Sequence, residues 1–181
     1  MAAIPPSRSS SAPFIVTAEM PGDIMSWADS LRRAHFPPER NHLAAHVTLF
    51  HAFAPSLREE LPRYLARLAA EFAPPEVAVS GLMDLGGGTA IALRSEGMIA
   101  LRNRIAENFW DMLTAQDRGG KKLHITVQNK VPRAAAVALQ QDLAPQIELR
   151  RFAFTGLGLH LYCNPHWERV AIWPFRGQTR P

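Results

Sequence analysis

Two short segments of the chain share one pattern of residue types: a histidine, an apolar residue, a threonine and a second apolar residue. The first motif is His46–Leu49 (HVTL), and the second motif is His124–Val127 (HITV). Alternate side chains of a β-strand point to the same face, so each motif predicts one face with an imidazole and a hydroxyl and one apolar face for a core. If the two strands face each other, two imidazoles lie on opposite sides of one site.

Such a site is equipped for acid/base chemistry at a phosphodiester. Attack on phosphorus requires a base that takes a proton from the nucleophile and an acid that protonates the leaving oxygen, at opposite ends of an in-line path. Histidine, with an ordinary pKa near 6.5, supplies both forms near neutral pH. We predict His46 and His124 as the catalytic pair, one as base and the other as acid. Thr48 and Thr126 would bind the non-bridging phosphate oxygens.

Strand parity predicts the neighbours of each motif. Phe50 falls on the His46 face, whereas Gln128 and Lys130 fall on the His124 face. All three are candidate substrate contacts, Lys130 through its charge and Gln128 through its amide. The alternative for Gln128 and Lys130 is that they are solvated surface side chains that contact no ligand, because strand parity would be the same.

Aromatic residues near the end of the chain offer a second kind of contact. Tyr162 and Trp167 could stack a nucleobase, as aromatic platforms do for single-stranded RNA. Packing in the core is the alternative for Trp167. We interpret His35, His160 and His166 as loop or surface residues.

The chain has few residues that could hold a metal. His42 and His46 have the i, i+4 spacing of a zinc site on a helix, but His46 is placed on a strand. With one cysteine and no H-E-x-x-H segment, we expect no metal and no cofactor. The single Cys163 excludes an internal disulfide and fits a reducing compartment.

Length and charge limit the classes of protein to which the chain can belong. A chain of 181 residues with a net charge of +4 fits one domain, and the charge favours anionic partners such as RNA or phosphate esters. No apolar stretch is long enough to cross a membrane, so we expect no membrane contact. We also expect a cytoplasmic location and a monomer. The Ser- and Pro-rich residues 1–12 predict a flexible tail, residues 13–176 one domain with two lobes, and residues 177–181 a second tail.

Hydrophobic periodicity and turn residues predict the order β α β α β β α β α β β β. The longest helix is predicted over Glu96–Gln116, and the second helix, which contains Pro62, either kinks or begins near Leu61. Each motif strand is followed by a helix and then by a β-rich stretch. This rough repeat predicts an α+β fold with two similar lobes and antiparallel pairing.

The two motifs resemble those of the two-histidine phosphoesterase superfamily, the group of 2'-5' RNA ligases and 2',3'-cyclic nucleotide phosphodiesterases. The resemblance rests on HVTLF at His46–Phe50 and HITVQNKV at His124–Val131, and it extends over residues 13–176. It implies two α+β lobes, each with an antiparallel sheet, related by a pseudo-twofold axis. The active-site groove would lie between the lobes and carry one motif from each.

The resemblance also implies an activity: a phosphodiesterase that uses no metal and opens 2',3'-cyclic phosphate ends, or that makes and breaks 2'-5' linkages in RNA. The expected partner is RNA or a nucleotide with a cyclic phosphate or a 2'-5' linkage. For the opening of a cyclic phosphate, we expect His124 to be the base and His46 to be the acid. Two alternatives stay open at this point. The substrate could be another small cyclic or 2'-5' phosphodiester, or the chain could be a non-catalytic RNA-binding module.

Overall fold

The structure is a computed structural model that describes residues 11–120 and 122–178. Most of both predicted tails, residues 1–10 and 179–181, lies outside the described residues, so the predicted tails remain predictions. Eight strands are described: β1 (Phe14–Glu19), β2 (Val47–Phe53), β3 (Glu76–Asp84), β4 (Thr89–Arg94), β5 (His124–Gln128), β6 (Arg151–Ala153), β7 (Gly156–Cys163) and β8 (His166–Pro174). Five α-helices are described: α1 (Gly22–His35), α2 (Glu60–Glu71), α3 (Glu96–Asn108), α4 (Ala115–Arg118) and α5 (Arg133–Leu143).

The strands form two antiparallel sheets of four strands each. The strand order is β2-β1-β7-β8 in the first sheet and β5-β4-β3-β6 in the second. Each motif strand, β2 or β5, is an edge strand paired with the strand that precedes it in the chain, and one long helix connects the two. The two sheets therefore repeat one arrangement, which confirms the predicted α+β fold with two similar antiparallel lobes.

The helices cover the core faces of the sheets. In α2 the fully buried side chains of Leu61, Leu65 and Leu68 form an apolar stripe. The helix begins at Glu60, so Pro62 lies in its first turn, where the missing N–H removes no helical hydrogen bond. Helix α3, which follows β4, contacts β3 of its own sheet and reaches β2 of the other sheet through Arg102.

The third helix is shorter than the sequence predicts. Helix α3 ends at Asn108 rather than at Gln116, although Phe109 and Met112 continue the apolar spacing. A short 3-10 turn follows, and the hydroxyl of Thr114 then caps the separate helix α4 by accepting a hydrogen bond from the Asp117 backbone N–H.

Asp117 accounts for the extra helix. Its fully buried carboxylate accepts hydrogen bonds from the backbone N–H groups of His51 and Ala52 on the free edge of β2. Burial of this carboxylate against β2 is a tertiary interaction that outweighs the local preference for one continuous helix.

Candidate active site

The two motif histidines lie at the start of the two edge strands. His46 directly precedes β2, and His124 is the first residue of β5. The strands β2 and β5 contact each other, so the two sheet edges meet at the motifs. Both histidines and both motif threonines are half-buried, so each polar group is accessible from one side.

The two imidazoles are held in the same way. Nδ1 of His46 lies 2.8 Å from the backbone oxygen of Ala44, and Nδ1 of His124 lies 2.9 Å from the backbone oxygen of Lys122. A carbonyl oxygen can only accept a hydrogen bond, so Nδ1 must carry the proton in both rings. In the neutral form Nε2 then holds the lone pair, and in the charged form it holds the second proton. Each ring therefore presents Nε2 as its proton-transfer atom.

Trp167 provides a wall beside the first histidine. Its ring centroid lies 4.5 Å from that of His46 and 5.6 Å from that of His160. Burial lowers the pKa of His46 to about 4, and the charge of Arg32 acts in the same direction. His46 is therefore neutral at pH 7, the form that can accept a proton.

A polar cluster lies on the same sheet, next to the motif. The Thr17 hydroxyl donates to Glu19 Oε1 over 2.7 Å and lies 2.9 Å from His160 Nε2. Because the single hydroxyl proton points to the carboxylate, His160 Nε2 is the donor in the second hydrogen bond. Thr17 is the register partner of both Thr48 and Gly158, so the cluster shares a face with the motif threonine.

Gly158 makes room for this cluster. A Cβ added at Gly158 would lie 2.2 Å from Glu19 Oε1, 2.4 Å from Thr17 Oγ1 and 3.0 Å from His160 Nε2. His160 is thus not the loop or surface residue expected from the sequence. It lies on β7, with only 15% of its side chain exposed.

The structure places Phe50 away from the site. Thr17 pairs with Thr48, but Val16 pairs with Phe50, so β2 carries a bulge at Leu49 that reverses the alternation of faces. The side chain of Phe50 is fully buried and packs 5.0 Å from the ring of Phe53. The expectation that Phe50 shares the His46 face is therefore wrong, because simple parity ignores the bulge.

The second motif has the same irregularity at the same position. Ala90 pairs with Thr126, but Thr89 pairs with Gln128, so β5 carries a bulge at Val127. Gln128 turns to the inner face with Thr89 and is 8% exposed, which leaves it no open surface for a ligand. A bulge thus follows the threonine of each motif.

The remaining predicted contacts lie at the rim. Lys130 is exposed in the turn after β5, with a positive φ of 58° and a backbone oxygen that accepts a hydrogen bond from Arg40. Tyr162 and Trp167 are register partners on β7 and β8, and Tyr162 is 40% exposed. The ring of Trp167 contacts His46 and His160 instead of filling the core. Trp167 and Tyr162 therefore remain candidate contacts, and Lys130 is solvent-facing.

Two buried arginines connect the halves behind the site. Arg32 of α1 donates to the backbone oxygen of Thr126 over 2.9 Å, and Arg102 of α3 donates to that of Leu49 over 3.3 Å. Each helix thus contacts the motif strand of the other sheet. Sequence periodicity gives no sign of these contacts, because they join residues far apart in the chain.

Residues 11–120 and 122–178 contain neither a group of metal-binding side chains nor a helix that could span a membrane. Within these ranges, no three His, Cys, Asp or Glu side chains are grouped so that they could hold a metal ion. No helix there is both long and apolar enough to cross a membrane.

A bilobal α+β fold with an H-x-T-x motif on the edge strand of each sheet defines a class of two-histidine proteins. The sequence model of the 2'-5' RNA ligase superfamily matches residues 20–164. The chain therefore belongs to the 2'-5' RNA ligase superfamily.

Solved structures share the fold. TT0787 of Thermus thermophilus is similar with a TM-score of 0.60 and 16% identity, over 92% of this chain and 100% of that one. E. coli LigT complexed with 3'-AMP is similar with a TM-score of 0.57 and 16% identity, over 93% and 99%. A structure described as a phosphoesterase has a TM-score of 0.58 and 18% identity, over 93% and 99%. No curated protein matches the chain.

Proposed function

We propose that this protein is a phosphodiesterase that opens 2',3'-cyclic phosphate ends of RNA or nucleotides, or makes and breaks 2'-5' linkages, by acid/base catalysis with His46 and His124. One observation carries the proposal: both imidazoles are fixed through Nδ1 to a backbone oxygen two residues earlier. These hydrogen bonds fix the tautomer and the orientation of each ring, which proton transfer in both directions requires. Binding of RNA alone would not require it.

In the proposed hydrolysis, water attacks phosphorus opposite the leaving ribose oxygen. Nε2 of neutral His46 takes a proton from the water as the new P–O bond forms. Nε2 of protonated His124 gives its proton to the leaving oxygen as the old P–O bond breaks. This assignment reverses the roles expected from the sequence, because the lowered pKa of His46 favours its neutral form. The reverse reaction exchanges the two roles.

Thr48 and Thr126 complete the proposed phosphate site. Each threonine lies two residues after its histidine, and the bulge begins only after the threonine, so imidazole and hydroxyl keep a common face. Their hydroxyls would donate to the non-bridging oxygens and hold phosphorus between the rings. Every step uses only side chains of the protein and the attacking water, so we propose that the activity requires no metal ion.

The proposed substrate class agrees with what has been bound to similar proteins. E. coli LigT, whose fold this chain shares, has been solved with 3'-AMP and with ATP. Trp167, beside His46, offers an aromatic face for a nucleobase in our proposal. A cytoplasmic location and a monomeric state remain predictions from the sequence.

The proposal is tested by hydrolysis of a nucleoside 2',3'-cyclic phosphate in EDTA, with wild type, His46→Gln and His124→Gln. Loss of one acid or base is expected to lower kcat by about 100-fold to 10,000-fold in each variant. His35→Gln, at the last residue of α1 and outside both motifs, is the matched control and should keep wild-type turnover. Full turnover in either motif variant would overturn the mechanism. If wild type opens no cyclic phosphate and hydrolyses no 2'-5' dinucleotide, the proposed function is wrong.

A further inference from the structure

A row of basic side chains crosses the second sheet next to His124. Ala78 is the register partner of both Arg94 and Arg151, so these two arginines flank a small residue on one face of three neighbouring strands. Lys122 continues the row, because Ala92 pairs with His124 and Arg94 therefore lies opposite Lys122. The backbone hydrogen bond from Leu93 to the oxygen of Leu123 confirms this register.

The basic row, Lys122, Arg94 and Arg151, shares a face with the catalytic motif. Lys122 and Arg94 each lie two residues from the row that contains His124, which is about 7 Å along the strands. All three basic residues line one cavity of about 1130 Å³, together with Ala92, the register partner of His124. This cavity therefore begins beside the second motif and extends along the sheet.

The three basic side chains are exposed and have no acidic partner among the described residues. Within residues 11–120 and 122–178, neither Arg94, Arg151 nor Lys122 has a carboxylate within ion-pair distance. Five other arginines of the described chain have ion-pair partners: Arg33 with Asp29, Arg63 with Glu59, Arg104 with Glu71, Arg133 with Asp84 and Arg150 with Glu148. Three unpaired cations on one concave surface favour an anionic ligand.

The acidic residues of the cavity lie farther from the motif. Glu76 lies two residues beyond Ala78 on β3, on the side away from His124, and Glu96 lies at the start of α3. The charge of the surface is therefore positive next to the second motif and becomes mixed beyond it. An anion bound at the basic row would lie next to the reacting phosphate.

We propose that Lys122, Arg94 and Arg151 bind a second phosphate of the substrate, so that the site selects oligoribonucleotides over mononucleotides. The inference rests on the proposed function, since it assigns the substrate class of that same site. A mononucleotide with only a cyclic phosphate reaches His46 and His124 and leaves the basic row empty. A longer strand places its next phosphodiester against the row and binds with higher affinity.

The kinetic test compares a nucleoside 2',3'-cyclic phosphate with a short oligoribonucleotide that ends in the same group. Wild type is expected to have a kcat/KM at least about tenfold higher for the oligoribonucleotide, and the double variant Arg94→Gln/Arg151→Gln should lose most of this ratio. The matched control is Arg63→Gln, which removes an exposed arginine of α2 and should keep the ratio. The inference is overturned if wild type shows no preference, or if the double variant keeps it.

Equilibrium binding separates this inference from the proposed function. We would titrate a fluorescent oligoribonucleotide that ends in an unreactive 3'-hydroxyl and measure anisotropy at several salt concentrations. Loss of the contacts with this one phosphate should lower the slope of log K against log salt by about 0.7. Binding that depends on Arg94 and Arg151 without any turnover would refute the proposed reaction and keep the inference. An unchanged slope would refute the inference even if the cyclic phosphate is hydrolysed.

A third substrate identifies the source of the second phosphate. A nucleoside 2',3'-cyclic phosphate with an added 5'-phosphate carries two phosphates without a strand. Its 5'-phosphate lies where the next phosphodiester of a strand begins, so we expect it to contact the basic row and to recover part of the advantage in kcat/KM. The double variant Arg94→Gln/Arg151→Gln should lose this part. If the 5'-phosphate gives no advantage in wild type, the basic row does not bind the second phosphate, and the inference is wrong.

Discussion

Arg32 donates a hydrogen bond from Nη1 to the backbone oxygen of Thr126, 2.9 Å away, although α1 and β5 belong to different halves of the fold. Its Nε also donates to Asn41 and to the backbone oxygen of Leu43, on the segment that leads into the first motif. One buried guanidinium thus connects both motifs. This contact and that of Arg102 with Leu49 fix the mutual placement of the motifs, because no strand pairing joins the two sheets.

The first prediction concerns this connection. Arg32→Met keeps most of the side-chain volume but removes all of these hydrogen bonds and leaves buried acceptors without donors. We expect the free energy of unfolding to fall by about 3 kcal/mol. Denaturation with urea measures it. Arg33→Met is the control, since its exposed ion pair with Asp29 should contribute less than about 1 kcal/mol. Equal losses in both variants would contradict the proposed connection.

The second prediction concerns the close approach at Gly158. In Gly158→Ala the new Cβ would collide with Thr17 Oγ1, which lies on the rigid interior of β1 and cannot swing away as Glu19 can. We expect a loss of about 1–3 kcal/mol in the free energy of unfolding. Gly22→Ala, where a Cβ meets nothing within 4 Å, should cost no stability.

A double-mutant cycle identifies the colliding atom. Thr17→Ala removes the obstructing hydroxyl, so the combined variant should lose clearly less stability than the sum of the two single variants. Strict additivity would show that the strain at Gly158 arises elsewhere.

The third prediction concerns the pH dependence of kcat/KM, which reports on groups of the free protein. If His46 is the base, it must be neutral, so the acidic limb of kcat/KM should lie at about pH 4. A fall at higher pH would come from loss of the proton of the acid and would not report on His46. The opposite roles predict the opposite sign, because an acidic His46 would have to be protonated, and kcat/KM would fall as the pH rises above about 4. A pH profile with a nucleoside 2',3'-cyclic phosphate decides between them.

The contact between Trp167 and His46 provides a check on the role of His46 as the base. Trp167→Ala exposes the His46 ring to water, which relieves the burial that lowers its pKa. We expect the acidic limb of kcat/KM to move upward, toward the ordinary histidine value of about 6.5. Trp110→Ala, which changes an exposed ring outside the site, should leave the limb in place.

The sequence predicts the elements of this fold and the two motifs, because both depend on local patterns. Alternation of apolar and polar residues locates the motif strands, and the order of elements differs from the structure only by α4. The assignment of Phe50 and Gln128 fails for a specific reason. A bulge depends on which residues pair across strands, and no local pattern records that register.

For a related reason, the local sequence pattern predicts neither the polar cluster of Thr17, Glu19 and His160 nor the basic row. His160 gains its role from Thr17 and Glu19, which lie on β1, far away in the chain. Arg94 and Arg151 lie in one row across the sheet only because both pair with Ala78, which lies between them. Lys122 alone carries a local signal, since it precedes His124 by two residues and so shares its strand face.

The last prediction concerns the motif threonines. Thr48→Val and Thr126→Val keep the shape of the side chain and remove one hydroxyl each, so the fold should be retained. A hydrogen bond to a charged phosphate oxygen contributes about 1.5–3 kcal/mol, which corresponds to a fall of about tenfold to 100-fold in kcat/KM for each variant. Thr155→Val is the matched control, because its exposed hydroxyl bonds only to the backbone oxygen of Glu19. If both motif variants hydrolyse a nucleoside 2',3'-cyclic phosphate as fast as the control, the hydroxyls do not bind the reacting phosphate. Other groups of the site must then hold it between the two imidazoles.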